Sequence, residues 1–166
     1  MEFKTAQWTN QRLATYCRIE QWIYAQLGEW VTADVSPSVR LLLAELSDHA
    51  GWRAQRWFES LPIGVSVGEP TPTEVVGHQN AAQLNSESDF VEFTAMVEAV
   101  VVGFQRDHLL LLDDVSARPL RRILEISVAD LERDARIIAS WRGESGPKLS
   151  GSLAAMAPQF GQLIAE

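Results

Sequence analysis

Sulfur chemistry is nearly missing from this chain of 166 residues: Cys17 is its one cysteine, so no internal disulfide can form. The N-terminus, Met1-Glu2-Phe3-Lys4, also lacks the basic-then-apolar order of a secretory signal. Both absences point to a reducing, cytoplasmic setting. Positive charge is scarce too. Fourteen Lys and Arg stand against 22 Asp and Glu, a formal charge of -8, and the basic residues form no stripe that could neutralise a run of phosphates, so no nucleic acid partner is expected. Long apolar runs are missing as well. The richest stretch, Phe90 to Leu112, is broken by Glu92, Glu98, Arg106, Asp107 and His108 and falls short of the roughly 18 uninterrupted apolar residues of a membrane span. A soluble protein with no membrane partner is the expectation.

What the chain does have is enough apolar material for one core. With 46% hydrophobic and 22% charged residues, residues 1–166 read as a single domain. Helical periodicity runs through roughly residues 5–32, 37–60, 88–113 and 117–141. Ala33-Asp34-Val35 is a brief joint between the first two, with Ser36 as N-cap and Pro37 in the first turn, so they should be antiparallel neighbours. Asp113-Asp114-Val115-Ser116 joins the last two in the same way, with Ser116 a second candidate N-cap. The connection over 61–87 differs, because Pro62, Gly64, Gly68, Pro70, Pro72 and Gly77 forbid a continuous helix and its length suits a crossover along the bundle. The expected fold is all-α: a four-helix bundle of two antiparallel pairs joined by a long crossover. A tail over 142–166 opens with Gly143, Gly146 and Pro147, and its segment Leu153 to Ile164 could form a short helix against the bundle or a second subunit.

Rotating each residue by about 100° asks which ionisable groups fall on the apolar stripes. In the first helix Leu13, Tyr16, Ile23, Tyr24, Leu27 and Val31 share a face with Glu20 near its middle. In the second, Leu42, Leu46, Ala50 and Trp57 run beside His49 and Arg53, with Glu45 and Asp48 on the flank. The third surrounds His108 with Phe104 and Leu111; the fourth places Asp134 beside Leu131 and Ile138, with Asp130 nearer the edge. A charge buried alone costs several kcal/mol, so these groups are expected to meet, with Arg53 paired to Glu20, Asp130 or Asp134. His78 falls in the crossover and reads as exposed. Cys17 reads as a small core hydrophobe.

The run Glu20-Gln-Trp-Ile-Tyr-Ala-Gln-Leu-Gly-Glu-Trp30, then Ser47-Asp-His-Ala-Gly-Trp52, Trp57 and Leu61-Pro62, with Ala129-Asp-Leu-Glu-Arg-Asp134 in the fourth helix, resembles ferritin-like domain proteins of the actinobacterial type. That resemblance implies a ferritin-like four-helix bundle, whose members typically hold two irons through a Glu from two helices and a Glu-x-x-His pair from the other two. Here the pattern is degenerate. Glu20 suits the first-helix position, but the second helix offers His49-x-x-x-Arg53, the third His108 and the fourth Asp130-x-x-x-Asp134. Arg53 cannot lose its charge and would repel a metal. DinB-like metalloproteins are a fold alternative; they use a histidine triad, and here His49 and His108 alone face the core.

Three functional readings follow. In the first to be preferred, the pocket is metal-poor and takes a small molecule, as in a biosynthetic enzyme: Arg53, with Trp52 and Tyr24, binds the substrate, His49 or His108 moves a proton, and Glu20 or Asp134 orients the imidazole. No cofactor is expected on that reading. In the second, Glu20, His49, His108, Asp130 and Asp134 ligate iron or manganese for oxygen chemistry. In the third the core charges close into a salt-bridge network, and the protein is a non-catalytic subunit or interaction module. Whether the chain is an enzyme stays open at this point. Trp8, Trp22 and Trp52, lying beyond the stripes, suggest a homodimer.

Overall fold

The computed structural model describes residues 6–32, 36–68, 109 and 118–142. Within them the regular elements are α-helices: α1 (Ala6–Trp30), α2 (Pro37–Glu59) and α3 (Arg118–Arg142). Among the described residues there is no strand, so the chain is all-α there. None of these helices is long and apolar enough to cross a membrane. The expected helix over 88–113 lies outside the described residues apart from Leu109, which is helical and exposed. His108, His78, the crossover beyond residue 68, Ser116 and the tail beyond 142 also lie outside them. The described residues fall into two units. The first holds α1, α2, the segment to Gly68 and α3 as far as Glu125; the second holds Leu109 and α3 from Ile126 onward.

In the first unit α1 and α2 form the hairpin that the short joint requires. Thr32 closes α1, its hydroxyl donating to the Glu29 carbonyl at 2.8 Å. Ser36 opens α2 by accepting the Val39 N–H on its side-chain oxygen at 3.4 Å, and Pro37 occupies the first turn, where its missing N–H costs nothing. The contacts between the helices run in opposite senses, as antiparallel packing demands: Tyr16 meets Trp57, Cys17 meets Ala54, Glu20 meets Arg53 and Tyr24 meets Ser47. At the far end of the pair the Tyr16 and Trp57 rings lie 5.6 Å apart between centroids and tilted by 53°, a favourable aromatic geometry. Nearer the joint, Ser47 Oγ donates to the Tyr24 carbonyl at 2.9 Å.

Burial follows a narrow stripe on α2, with Val39, Leu42, Leu43, Leu46, Ala50, Arg53, Ala54 and Trp57 inside. On α1 it covers a wider arc that takes in Ile19, Trp22, Gln26 and Trp30 as well as Leu13, Tyr16, Ile23 and Leu27. Two expectations are corrected here. Trp22 is buried rather than spilling outward, because α1 buries more than one stripe. Tyr24 is 52% exposed rather than core-facing, since its ring lies over Gly51 at the margin of the helix pair. Beyond α2, Ser60 stops the helix and Gly64 (φ +91°) allows the tight turn closed by Val65 N–H to the Pro62 carbonyl at 3.1 Å. The segment is tied back by Arg18, which donates to the Val67 carbonyl at 3.1 Å. In the second unit, Ser127, Val128, Leu131, Asp134 and Ile138 of α3 are buried at helical spacing.

Two tryptophans one turn and a residue apart on α2 therefore have opposite weights. Trp57→Ala should lower the unfolding free energy by about 3–5 kcal/mol, whereas Trp52→Ala should cost less than about 1 kcal/mol. Chemical denaturation of the two variants measures both, and equal losses would contradict this packing.

Candidate functional site

Arg53 sits on the apolar stripe of α2 between Ala50 and Trp57, where a fixed cation needs a counter-charge. The antiparallel register puts Glu20 of α1 opposite it. Arg53 Nε donates to Glu20 Oε1 at 2.8 Å and Nη2 donates to Oε2 at 3.1 Å, with the side chains 1% and 0% exposed. Two parallel charge-assisted hydrogen bonds are the arrangement a guanidinium makes best. The desolvation cost of burying both ions offsets much of their attraction, so the pair specifies register more than it adds stability.

The neighbouring Cys17 reports the surroundings of this pair. Its thiol is fully buried and donates to the Ala54 carbonyl at 3.4 Å. Burial pushes its pKa up from 9.0 to about 11, helped by the negative charge of Glu20 and opposed by Arg18. At neutral pH it is a protonated thiol and a poor nucleophile.

The other residues singled out from the sequence are placed as follows. His49 is half-buried on α2, one turn before Arg53. Asp134 is 1% exposed and Asp130 half-buried, one turn apart on α3 in the second unit, with carboxylate oxygens within 4.8 Å of each other. Glu20 and Arg53 are brought together within the first unit; Trp52 and Tyr24 line a groove of that unit that Arg53 does not line. The donor set around Glu20 does not fit a metal, because a permanent cation engages both of its oxygens. For the same reason an Arg53 clamp on a substrate carboxylate would first require Glu20 to let go, leaving a buried anion unpaired.

A second feature of the first unit lies on the outer margin of the hairpin. A groove of about 630 Å³ is lined by Gln21 and Tyr24 of α1 and by Asp48, Gly51, Trp52, Ala54, Gln55 and Phe58 of α2. Positions 48, 51, 52, 55 and 58 fall on one face of α2 by helical spacing. Gly51 makes the close approach of the two helices here: a Cβ at that position would stand 2.8 Å from Tyr24 Cδ2. Tyr24, Trp52 and Phe58 are 52%, 41% and 54% exposed, so three aromatic side chains of the lining reach the surface. Arg56 lays its guanidinium carbon 5.7 Å from the Trp52 ring centroid and pairs with Glu59 at 2.9 Å. Trp52 and Tyr24 were singled out from the sequence; Gln21, Gly51, Gln55 and Phe58 were not. The signal that would have found them is an aromatic residue at both 52 and 58, outside the apolar stripe of α2.

Removing one partner of the buried pair should be worse than removing both. Arg53→Met should lose about 3–5 kcal/mol by stranding Glu20, and adding Glu20→Leu should recover at least half of that loss; a neutral single variant would contradict the geometry. The thiol gives a pH signature. Because its pKa is higher in the folded chain, its contribution is intact below pH 9 and is lost as the pH rises towards 11, with a slope of up to about 1.4 kcal/mol per unit. The wild type should lose stability over that range faster than Cys17→Ala, as read by urea denaturation at each pH. No protein-family model matches the chain, and neither a curated protein nor a solved structure matches it.

Proposed function

We propose that this protein is a metal-independent small-molecule-binding bundle of the ferritin-like type, in which Arg53 takes the place of a metal ion as the counter-charge of Glu20 and ligand recognition has moved to the outer groove. The α1–α2 hairpin is one of its two antiparallel pairs. The observation that carries the reading is the closed Glu20–Arg53 pair, at 2.8 and 3.1 Å with both side chains buried. Both charges are already committed, so neither is free to grip a substrate or an ion. The groove, by contrast, is of a size that suits a small organic ligand, with aromatic walls and a few polar groups at its margin. On this reading the core polar residues hold the helices in place and the groove does the binding; Tyr24 and Trp52 keep the substrate-binding role, and Arg53 supports them from inside α2.

Gly51 provides the test. Gly51→Ala gains helix propensity of about 1 kcal/mol while its methyl displaces the Tyr24 ring, so the fold should survive and the groove should change. Neutral aromatic fragments should shift the Trp52 indole N–H resonance and bind at least fivefold more weakly to Gly51→Ala. Fragments that perturb the buried Trp57 instead, or that bind both proteins equally, would overturn the proposal.

A further inference from the structure

The polar groups around the groove are unequal in sign. Among the described residues no Lys or Arg lines it, and Asp48 is its one charged residue. Asp48 is exposed and its carboxylate has no hydrogen-bond or ion-pair partner among the described residues, and the same holds for the Gln21 amide and the Tyr24 hydroxyl. Trp52 lies one turn along α2 from Asp48, and Tyr24 of α1 reaches α2 between them at Gly51, so two aromatic side chains on two helices line the groove at the Asp48 end. An aromatic face carries negative electrostatic potential and attracts a cation within about 6 Å of the ring centroid. The protein already exploits this at the rim, where Arg56 lies 5.7 Å from the centroid of Trp52. The whole chain, at a formal charge of -8, favours the approach of cations over anions.

We infer that the groove takes an organic cation, an ammonium group carried on an apolar or aromatic body, with the ammonium at Asp48 and the body against Tyr24 and Trp52. The inference rests on the groove being the ligand site and adds the chemical class of the ligand. The carboxylate supplies the counter-charge, the aromatic walls bury the hydrocarbon and stabilise the cation through their π faces, and the Gln21 and Gln55 amides offer acceptor oxygens to ammonium hydrogens. An anionic ligand of the same shape meets the Asp48 charge, and Arg56 at the rim is already paired with Glu59.

The experiment compares four probes of one size: 2-phenylethylamine, benzyltrimethylammonium, neutral 2-phenylethanol and anionic 3-phenylpropionate. Each is titrated into the full-length protein at pH 7 and followed at the Trp52 indole N–H. Both cations should bind roughly tenfold more tightly than the alcohol, and the carboxylate should bind more weakly than the alcohol. Asp48→Asn, a change on the surface, should bring the cations to within about twofold of the alcohol and leave the alcohol unaffected. Added salt should weaken the cations and not the alcohol. Equal binding of alcohol and amine, or an amine preference that survives Asp48→Asn, would overturn the cation inference and leave the groove as a binding site. Silence of Trp52 towards all four probes would overturn both.

Discussion

Two opposite charges that cannot be solvated constrain everything else in the α1–α2 hairpin. Glu20 and Arg53 are both buried, and each could remain so only by meeting a partner of opposite sign in good geometry. The bidentate contact at 2.8 and 3.1 Å meets that demand, and it does so at one register of the two helices. A slide of one turn along either helix, about 5.4 Å, would strand both ions, while an all-apolar seam would tolerate it at much lower cost. The Tyr16–Trp57 ring contact, the Cys17 thiol against the Ala54 carbonyl and the Ser47 hydroxyl on the Tyr24 carbonyl all occur in the register the ion pair selects.

That register also separates a closed interior from an open margin. Inside, the chemistry is closed: the carboxylate is neutralised by a guanidinium that never deprotonates, and the nearby thiol is held protonated by burial and by the Glu20 charge. Outside, the same alignment sets Gly51 under the Tyr24 ring and so opens the aromatic groove between Gln21 and Phe58. One consequence is that the groove stands on buried helix positions, with Ala54 beneath it and Arg53, paired with Glu20, at the neighbouring position of α2. A site on rigid elements loses little freedom when a ligand arrives.

Local signals in the sequence were legible where the chemistry is local. Ser36 followed by Pro37 marks the start of α2, and Leu42, Leu46, Ala50 and Trp57 mark its inner face, because capping and helical period depend on neighbours in the chain. The buried charge at Arg53 was legible as well, but its partner was narrowed to Glu20, Asp130 or Asp134, since choosing among them needs the register between helices. Trp22 and Tyr24 depart from the single-stripe expectation for a common reason: α1 buries a broader arc and lets one aromatic ring escape over a glycine on another helix. The groove was invisible for the same cause, because no single helix carries it and the contact that shapes it joins Tyr24 to a residue without a side chain.

The measurement that bears most directly on this account is hydrogen exchange at the Arg53 Nε–H, resolved in nitrogen-edited spectra of arginine-labelled protein. That hydrogen donates to Glu20 inside the hairpin, whereas the side chains of Arg121 and Arg122 are largely exposed. The Arg53 Nε–H should exchange at least a hundredfold more slowly than those of Arg121 and Arg122 at the same pH, and a ligand in the groove should leave it protected. Exchange of Arg53 at the rate of the exposed arginines would mean that the pair opens freely, and would contradict the closed core on which the account rests.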